Sequence, residues 1–489
     1  MIPSLREKCG VFGVYAPAED VARLTFFGLF ALQHRGQESA GIATTDGERL
    51  FLHAEMGLVT QIFTEEVLAS LPGRAAIGHN RYSTTGSSVE DNCQPLLVGR
   101  QDSALDGAAG QLLLAHNGNI VNTETLREEL ESDGVAFATT TDSEVIAQLI
   151  ANAPGEGWEQ RFGHMMGRAE GAYSLTVLTR DALFGVRDPN GIRPLCIGRL
   201  DGGYVIASES CALDHLGADF VREMEPGEVV RVDDSGLVSH FPLGREPARS
   251  APCVFEYIYF ARPDTELGGD LLHTARVRMG RELAREHPAE ADLVIGVPDS
   301  GTRGAIGYAL ESGIPYAEGL IQNRYVGRTF IEPDQRLRAL GVQLKLNPLR
   351  ALLEGKRIVV VDDTIVRGTT NPPVVAMLRK AGATEVHMRI HSPPVQYPCF
   401  YGIDMATREE LIGAQRSVEE IRQYIDADSL GYLSIKGLIS GTKRTEEALC
   451  MGCLSGNYPG PVPLHLDKFA LEENGARRRG AAPLPLGGL

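Results

Sequence analysis

One segment near residue 360 limits the folds that the second half of this chain can adopt. Val359–Thr370 reads as a buried apolar strand that ends in two carboxylates, Asp362 and Asp363, and continues through a Gly/Thr loop into a helix. Other short apolar strands are predicted at Leu293–Val297 and Val386–Ile390, with helical spacing of apolar residues between them. Short apolar strands that alternate with helices are typical of a parallel sheet. The second half is therefore predicted to be an α/β domain.

The first half has a different pattern, in which apolar strands are separated by Gly, Asn and Asp turns. The predicted strands cover residues 9–15, 75–82, 112–115, 173–178, 183–186 and 204–207. A helix is predicted over Asp142–Ile150, with Asp142 or Ser143 as its N-cap. Strands with flanking helices favour a layered α+β domain.

The pattern lapses into Asp, Ser, Gly, Arg and Pro over residues 233–252, which predicts a domain boundary. We expect a first domain over residues 9–245 and a second over residues 250–460. From about Glu472 the chain is rich in Ala, Gly, Pro and Arg, so residues 472–489 are predicted to be disordered. A chain of 489 residues is long enough for two or three domains.

Charge and hydropathy argue against several classes of protein. The net charge is −17, which disfavours nucleic acid as a general partner but is compatible with a local pocket for a phosphorylated small molecule. No run of 18 apolar residues occurs, so no transmembrane helix is expected. Residues 1–8 are too few and too charged for a signal peptide. Eight cysteines in so long a chain do not indicate a disulfide framework. We expect a cytoplasmic protein.

Cys9 stands at the start of the first predicted strand. A cysteine in a strand is usually a small core residue. If the chain were cut between Lys8 and Cys9, however, an α-amine with a pKa of about 8 would lie beside a thiol with a pKa of about 8.5, and could accept its proton. Nucleophile and base would then belong to one residue. Residues 1–8 would be a removable propeptide.

Acyl transfer at Cys9 would also need a substrate clamp and an oxyanion hole. An Arg can hold the carboxylate of an amino acid and an Asp its ammonium group, while an Asn amide and a Gly N–H can donate to an oxyanion. Residues of these types occur in three polar segments at predicted strand ends, Gly78–Thr84, His116–Asn119 and Thr139–Glu144. Each segment alone could be a solvated loop.

Together with Cys9–Gly13 and Leu32–Ile42, the three segments resemble the glutaminase half of class II glutamine amidotransferases. These are N-terminal-nucleophile hydrolases, so the resemblance implies an αββα fold for residues 9 to about 240. The residues it implies for the site are the nucleophile Cys9, the glutamine ligands Arg81 and Asp142, and the oxyanion-hole residues Asn117 and Gly118.

In the second half, the loop after Asp363 suits a phosphorylated sugar, because backbone N–H groups at a helix N-terminus bind phosphate and carboxylates bind ribose hydroxyls or Mg²⁺. Val359–Thr370 resembles the phosphoribosyl pyrophosphate loop of type I phosphoribosyltransferases, and Gly296–Arg303 resembles their pyrophosphate-side loop. The residues implied to bind phosphoribosyl pyrophosphate are Asp362, Asp363, Thr364, Arg367, Gly368, Thr369 and Thr370. Those implied to hold Mg²⁺ are Ser300, Asp362 and Asp363.

The order of the two halves resembles the glutamine phosphoribosylpyrophosphate amidotransferase (amidophosphoribosyltransferase) family from Cys9 to about Pro459. Cys253–Asp264 also resembles a family segment, and Gln322–Phe330 resembles the flexible loop that closes over the sugar phosphate and helps seal an ammonia path. One departure is Asn371-Pro372-Pro373, where the family usually has Ser followed by polar or basic residues. Proline is tolerated in a first helical turn, so we expect the helix to form.

Four cysteines form a candidate metal centre: Cys253, Cys399, Cys450 and Cys453. Four thiolates can hold a [4Fe–4S] cluster or a zinc ion, and the residues alone leave both open, beside ordinary free thiols. The resemblance extends to the family's cluster-bearing subgroup with a cleaved propeptide, which implies a [4Fe–4S] cluster. Its role would be structural, because no step of the implied reaction transfers electrons. The cysteines expected to be ordinary thiols are Cys93, Cys196 and Cys211.

The resemblance implies that glutamine is hydrolysed at Cys9 and that ammonia passes internally to phosphoribosyl pyrophosphate. The products would be 5-phosphoribosylamine, glutamate and pyrophosphate, in the first step of purine synthesis. Inhibition by purine nucleotides and a homotetramer are implied as well. One alternative is another class II amidotransferase such as a glucosamine-phosphate synthase, which Val359–Thr370 disfavours. Another is a regulator that binds phosphoribosyl pyrophosphate without turnover, which would require broken catalytic positions, whereas all are present.

Overall fold

The structure, a computed structural model, describes residues 9–82, 89–99, 111–155, 157–244, 250–323, 345–403, 405 and 407–462. Of these, residues 9–252, 400–405 and 459–462 form one compact unit, and residues 253–399 and 407–458 form another. Along the chain, the division falls between Pro252 and Cys253, at the end of the segment 233–252 in which the boundary is predicted. Residues 400–405 belong to the first unit, although the sequence pattern places them inside the second domain.

The first unit contains two antiparallel sheets. The seven-stranded sheet has the order β11-β9-β10-β1-β4-β2-β3, and the six-stranded sheet has the order β13-β12-β8-β7-β6-β5. The strands are β1 (Gly10–Tyr15), β2 (Ser39–Thr45), β3 (Leu50–Met56), β4 (Ala75–Arg81), β5 (Leu96–Val98), β6 (Leu112–Ile120), β7 (Gly171–Leu178), β8 (Leu183–Arg187), β9 (Cys196–Leu200), β10 (Gly203–Ala207), β11 (Asp219–Glu223), β12 (Val229–Asp233) and β13 (Gly236–His240).

Helices cover the outer face of each sheet. They are α1 (Val21–Ala31), α2 (Val59–Ile62), α3 (Glu65–Ala69), α4 (Thr123–Ser132), α5 (Asp142–Ala151), α6 (Trp158–Arg168) and α7 (Cys211–Leu216), with a 3₁₀ turn at Glu90–Asn92. Alternate residues of β1 face opposite ways, as a strand requires. Phe12 and Val14 pack with α1 and α7, whereas Val11 and Tyr15 pack between the sheets. The remaining core joins the six-stranded sheet to α4, α5 and α6. These four layers match the αββα arrangement that the sequence predicts.

Two local predictions in this unit are wrong. β6 does not end at Ala115 but runs to Ile120, because its backbone pairs with β7 as far as Gly171. The polar residues 116–119 therefore lie inside a strand rather than after one. The N-cap of α5 is Thr141, whose side chain accepts a hydrogen bond from Glu144 N, so the predicted caps Asp142 and Ser143 already belong to the helix.

The second unit is built on a parallel sheet with the order β16-β19-β20-β21. The strands of the second unit, in this sheet and in the antiparallel pairs β14-β15 and β17-β18, are β14 (Glu266–Leu267), β15 (Asp270–Leu271), β16 (Leu293–Gly296), β17 (Leu320–Gln322), β18 (Leu346–Pro348), β19 (Arg357–Asp362), β20 (Glu385–Ile390) and β21 (Ser429–Tyr432). Gly296 at the end of β16 is level with Val361 on β19. The loops that follow these two strands therefore leave the same edge of the sheet, which confirms the predicted α/β class.

The helices of the second unit surround this sheet. They are α8 (Leu272–Glu286), α9 (Gly301–Ser312), α10 (Arg350–Leu353), α11 (Asn371–Lys380), α12 (Ile412–Gln415), α13 (Val418–Tyr424), α14 (Ile435–Thr442) and α15 (Gly452–Ser455), with a π-helical turn at Glu256–Phe260 and 3₁₀ turns at Arg408–Glu410 and Glu446–Ala448. Leu353, Val375 and Leu378 join the sheet in one apolar core. None of the helices in the described ranges combines the length and apolar character needed to cross a bilayer.

Candidate active sites in the two units

Cys9 directly precedes β1 and lies beside the backbone of Tyr82. Its Sγ is 3.3 Å from Tyr82 O and 3.4 Å from Tyr82 N. The side chain is buried. Burial raises the pKa of the thiol to about 11, although the Tyr82 backbone and the charge of Arg81 act in the opposite direction. A thiol with this pKa is protonated at neutral pH, so nucleophilic attack would need a base that removes the proton.

Arg81 and Asp142 bring opposite charges close to Cys9. Arg81 is the last residue of β4 and Asp142 the first of α5, and both are buried. The two charges act on the pKa of the Cys9 thiol in opposite directions. Asp142 Oδ2 also accepts a hydrogen bond of 3.2 Å from Ile120 N. A buried cation and a buried anion near one thiol suit the carboxylate and the ammonium group of an amino acid.

Asn117 and Gly118 lie on β6, in the segment that the longer strand contains. Among the described residues, the buried Asn117 Nδ2 has no hydrogen-bond partner. A Cβ on Gly118 would lie 1.9 Å from Ala172 O, so only glycine fits this position. Leaving a buried amide N–H unpaired costs about 1–3 kcal/mol. A ligand oxygen that accepts from Asn117 would remove this cost, which agrees with the role implied for these residues.

A buried charged group supports Cys9 from its backbone side, and the sequence reasoning assigned it no role. Arg35 Nε donates to Cys9 O at 3.1 Å, and its Nη1 pairs with Glu209. His34 Nε2 is 2.8 Å from the same Glu209 oxygen. Arg35 and Glu209 are far apart in sequence, so no local spacing could have joined them. The only signal was the position of Arg35 inside the segment Leu32–Ile42.

A second unassigned group links the predicted polar segments. His116 Nδ1 is 3.1 Å from Ser143 Oγ, and Gln94 contacts both residues, donating to Ser143 Oγ at 2.9 Å and accepting from His116 N at 2.8 Å. Burial lowers the pKa of His116, although the Asp142 carboxylate opposes the shift. His79 Nε2 is 3.0 Å from His116 O, which connects β4 with β6. His79, Gln94, His116 and Ser143 therefore form one polar network between β4, β6 and α5.

In the second unit, Asp362 ends β19 and Asp363 begins the loop. Ser300, from the loop after β16, donates to Asp363 Oδ1 at 3.1 Å, so the three residues predicted to hold Mg²⁺ lie together. Asp363 N donates to Asp362 Oδ1 at 2.9 Å. Burial, followed by the neighbouring Asp363 carboxylate, raises the pKa of Asp362 well above its ordinary value. A nearby cation, or hydroxyl groups that donate hydrogen bonds, would stabilise the charged form of these two carboxylates.

The loop after Asp363 turns sharply before α11. Thr364 Oγ1 donates to Asp363 Oδ2 at 3.3 Å. Arg367 pairs with Glu410 at 2.6 Å. Gly368 has a φ of +69° and a Cβ there would meet Ile412 Cδ1 at 2.5 Å, so glycine is required. Thr370 is the N-cap residue of α11 and makes no side-chain capping bond.

The Asn371-Pro372-Pro373 departure is compatible with the fold. α11 begins at Asn371, with proline in the first turn, and ends at Lys380, so the expected helix forms. Asn371 Nδ2 donates to Asp362 Oδ2 at 3.1 Å. The residue that differs from the family's usual Ser therefore contacts the carboxylate pair directly.

The four candidate cluster cysteines are buried in the second unit. The backbones of Cys253 and Cys450 form a parallel bridge. Burial raises the pKa of the Cys453 thiol well above its ordinary value, and the other three thiols, led by Cys399, add to the shift, so the four lie near one another. In the described part of the chain, no three or more His, Cys, Asp or Glu side chains are arranged as a metal centre.

Some predicted features lie wholly or partly outside the described residues. These are the propeptide 1–8, Ser83 and Thr84 of the first polar segment, most of Gln322–Phe330, and the tail 472–489.

Comparison with known proteins agrees with the two-unit architecture. Residues 79–215 match the model of the glutamine amidotransferase domain, so the first unit carries a glutaminase domain. The amidophosphoribosyltransferase of Synechococcus elongatus is 53% identical over 471 residues, which cover 95% of this chain and 94% of that protein. The enzyme of the same name from Bacillus subtilis is 48% identical over 463 residues, or 94% and 95% of the two chains.

A solved structure of the Bacillus subtilis glutamine phosphoribosylpyrophosphate amidotransferase, complexed with ADP and GMP, superimposes with a TM-score of 0.86 at 47% identity. It covers 93% of this chain and 98% of that one. The fold and the matched domain define a class II glutamine amidotransferase joined to a phosphoribosyltransferase. The chain belongs to the amidophosphoribosyltransferase family. It is therefore an enzyme of the first step of purine synthesis, and nothing in these comparisons supports a regulator without turnover.

Proposed function

We propose that this chain releases ammonia from glutamine at Cys9 and adds it to C1 of phosphoribosyl pyrophosphate bound by the loop after β19. The observation that carries the proposal is the surroundings of Cys9: a buried thiol lies near Arg81 and Asp142 in the same unit as the buried Asn117 amide, which has no hydrogen-bond partner among the described residues. This arrangement offers a nucleophile, a clamp for an amino acid and a donor for an oxyanion, which together are the requirements of amide hydrolysis.

In the glutaminase step, we propose that removal of residues 1–8 makes the Cys9 nitrogen a free amine. The amine accepts the thiol proton, and Sγ attacks the glutamine amide carbon. Arg81 holds the α-carboxylate and Asp142 the α-ammonium group. The oxyanion accepts hydrogen bonds from Asn117 Nδ2 and Gly118 N–H. As the intermediate collapses, the α-ammonium group of Cys9 returns its proton to the leaving nitrogen and ammonia is released; water then cleaves the thioester to give glutamate and the free thiol.

In the second step, ammonia attacks C1 of the ribose and pyrophosphate leaves, which gives 5-phosphoribosylamine. Asp362 and Asp363 accept hydrogen bonds from the ribose hydroxyls, while the N–H groups and hydroxyls of Gly368, Thr369 and Thr370 hold the phosphate. Arg367 would have to exchange its contact with Glu410 for the ligand. The Ser300–Asp363 contact and the raised pKa of Asp362 suit Mg²⁺, which would neutralise the charge of the pyrophosphate.

We also propose that Cys253, Cys399, Cys450 and Cys453 hold a [4Fe–4S] cluster with a structural role. The proximity of the four thiols supports this assignment, since bringing four buried thiols together suits a soft metal centre. Iron and acid-labile sulfide should each reach about four per chain in anaerobically purified protein. Cys453→Ser should lose both, whereas Cys211→Ser, at a buried cysteine of the first unit, should keep them. Stoichiometric zinc without sulfide would overturn the assignment.

The relatives support further proposals about regulation and assembly. Because the Bacillus subtilis structure is a complex with ADP and GMP, we expect purine nucleotides to bind and inhibit this enzyme. We also expect a homotetramer in the cytoplasm. Light scattering with and without GMP would check the assembly, and inhibition of initial rates by ADP and GMP would check the regulation.

The division of labour between the two units can be tested with two variants. Cys9→Ala should abolish glutamine-dependent synthesis and keep ammonia-dependent synthesis, because only the first uses the thiol. Asp363→Asn should reduce both, since both use the bound sugar phosphate. Cys93→Ala, which removes a buried thiol that has no role in the proposed mechanism, is the matched control for Cys9. Equal loss of both activities in Cys9→Ala would contradict the proposal.

A further inference from the structure

A short loop from late in the chain lies against the oxyanion strand of the first unit. We name residues 400–403 the backing loop; they belong to the first unit although the residues on either side of 400–406 belong to the second. Asn119 Nδ2 donates to Phe400 O at 3.0 Å. Arg193 Nη2 donates to Tyr401 O. Both donors are buried, so each bond is shielded from water and would be costly to lose.

Gly402 brings the loop directly onto Gly118. Its φ is +96°, and a Cβ there would lie 2.9 Å from both Gly118 C and Gly118 O. The same Cβ would lie 3.3 Å from Arg193 Nη2. Gly118 is equally confined on the side of β7, because a Cβ on Gly118 would overlap Ala172 O. Gly118 is therefore held between β7 and the backing loop.

The backing loop is itself fixed. Tyr401 is buried, donates to Pro461 O at 3.0 Å and accepts from Gly460 N at 3.1 Å. Arg193 is fixed as well, because its carbonyl accepts from Ser174 Oγ at 3.1 Å. A loop held in this way can transmit a defined position to Gly118 rather than merely fill space.

We propose that Asn119, Arg193 and Gly402 are positioning residues that fix the geometry of the oxyanion hole formed by Asn117 and Gly118. This inference rests on the proposed role of Asn117 and Gly118. An oxyanion hole acts only if its donors stand about 2.7–3.1 Å from the developing charge. The backing loop fixes the peptide that follows Gly118, and with it the dihedral angles that direct the Gly118 N–H. The hydrogen bond from Asn119 to Phe400 O joins the residue after this peptide to the backing loop, and the bond from Arg193 to Tyr401 O holds the loop in place.

Two variants of the processed full-length enzyme test the proposal. Asn119→Asp keeps the shape but replaces the donor to Phe400 O with an acceptor, and Gly402→Ala presses a methyl group on Gly118. Because the oxyanion contact is made in the transition state, each should lower kcat for glutamine hydrolysis by about 10–100-fold and change KM by less than about twofold. Inhibition by glutamate γ-semialdehyde, which forms an oxyanion on the thiol, should weaken by the same factor as kcat/KM, while inhibition by glutamate should not.

Asn122→Asp is the matched control, because Asn122 Nδ2 also donates to a backbone carbonyl, Arg168 O, at 2.8 Å but away from Gly118. It should retain kcat. Ammonia-dependent synthesis should stay unchanged in all three variants. A rise in KM with unchanged kcat, or a loss of both activities together with a lower Tm, would overturn the positioning role. If instead the unsubstituted enzyme hydrolysed no glutamine, or Asn117→Ala had no effect on kcat, the proposed function itself would fail.

Discussion

The pKa of the Cys9 thiol gives a direct test of the idea that the mature N-terminus activates its own side chain. Burial raises this pKa from 9.0 to about 11. A shift of about two units corresponds to ~2.7 kcal/mol and to about a hundredfold less thiolate at neutral pH. Within one residue, an α-amine of pKa about 8 would supply the base that such a thiol needs.

The test compares two chains that differ by one residue. One begins at Cys9, and the other carries a single Gly before Cys9, so that the Cys9 nitrogen is an amide. Alkylation of Cys9 by iodoacetamide is followed by mass spectrometry between pH 6.5 and 10.5. At pH 7.5 the chain with the free amine should react faster, and its rate should inflect at about pH 8, because the neutral amine can then act as the general base for the thiol as it attacks.

The chain with the added Gly should react ever faster up to the highest pH, without an inflection below pH 10. Cys196, whose pKa burial also raises, serves as the internal reference in both chains and should react equally slowly. Equal rates and equal inflections at Cys9 in the two chains would refute the reasoning, because the free amine would then add nothing to the reactivity of the thiol.

Three further predictions follow from buried groups. Arg35→Met should lower the free energy of unfolding by about 3–5 kcal/mol, because it removes the guanidinium that pairs with the buried Glu209 carboxylate, and denaturant titration would measure it. Burial raises the pKa of Asp188 from 3.8 to about 6, so its contribution to stability is fully present below pH 3.8 and is lost as the pH rises through 6. Between pH 4 and 7, the free energy of unfolding of Asp188→Asn should therefore rise by about 3 kcal/mol relative to that of the unsubstituted chain, as urea titrations would measure. Gly301→Ala, whose Cβ would lie 2.2 Å from Val361 O, should cost about 1–3 kcal/mol by thermal unfolding.

Each prediction has a control at an open or exposed position. Arg23→Met breaks an exposed ion pair with Glu65 and should leave the stability nearly unchanged. Asp219→Asn, at an exposed residue, should leave the pH dependence unchanged. Gly157→Ala meets no atom within 4 Å and should leave Tm within experimental error. If a control matched its test variant, the contact named for that variant could not be the cause.

The sequence predicts those parts of the fold and site that depend on local pattern. The short apolar strands, such as the one that contains Val359–Val361, and the helices between them predict the α/β unit. The candidate ligand-binding residues directly follow these strands in the sequence. The pairing of Ser300 with Asp363 follows from the same logic, because parallel strands end at one edge. The position of Cys9 beside β4 can also be predicted, because the glutaminase resemblance places Cys9 and the segment Gly78–Thr84 in one site.

What the sequence does not predict depends on distant partners. The extension of β6 through His116–Asn119 depends on its pairing with β7, and the polar side chains of these residues give no sign of a strand in the sequence. Arg35 meets Glu209 only through tertiary packing. The placement of Phe400 in the first unit depends on hydrogen bonds from Asn119, and no pattern within residues 400–405 reveals this.

The backing loop also has a consequence for how the protein is made. Domains usually fold in the order in which they leave the ribosome. Here, the first unit uses Phe400 and Tyr401, and Tyr401 in turn uses Pro461. A nascent chain that ends after Pro252 therefore lacks the support for Gly118, even though every residue of the proposed glutaminase chemistry has been synthesised. We expect the nucleophile to be encoded first and to mature last, so that ammonia is not released by a chain whose acceptor domain does not yet exist.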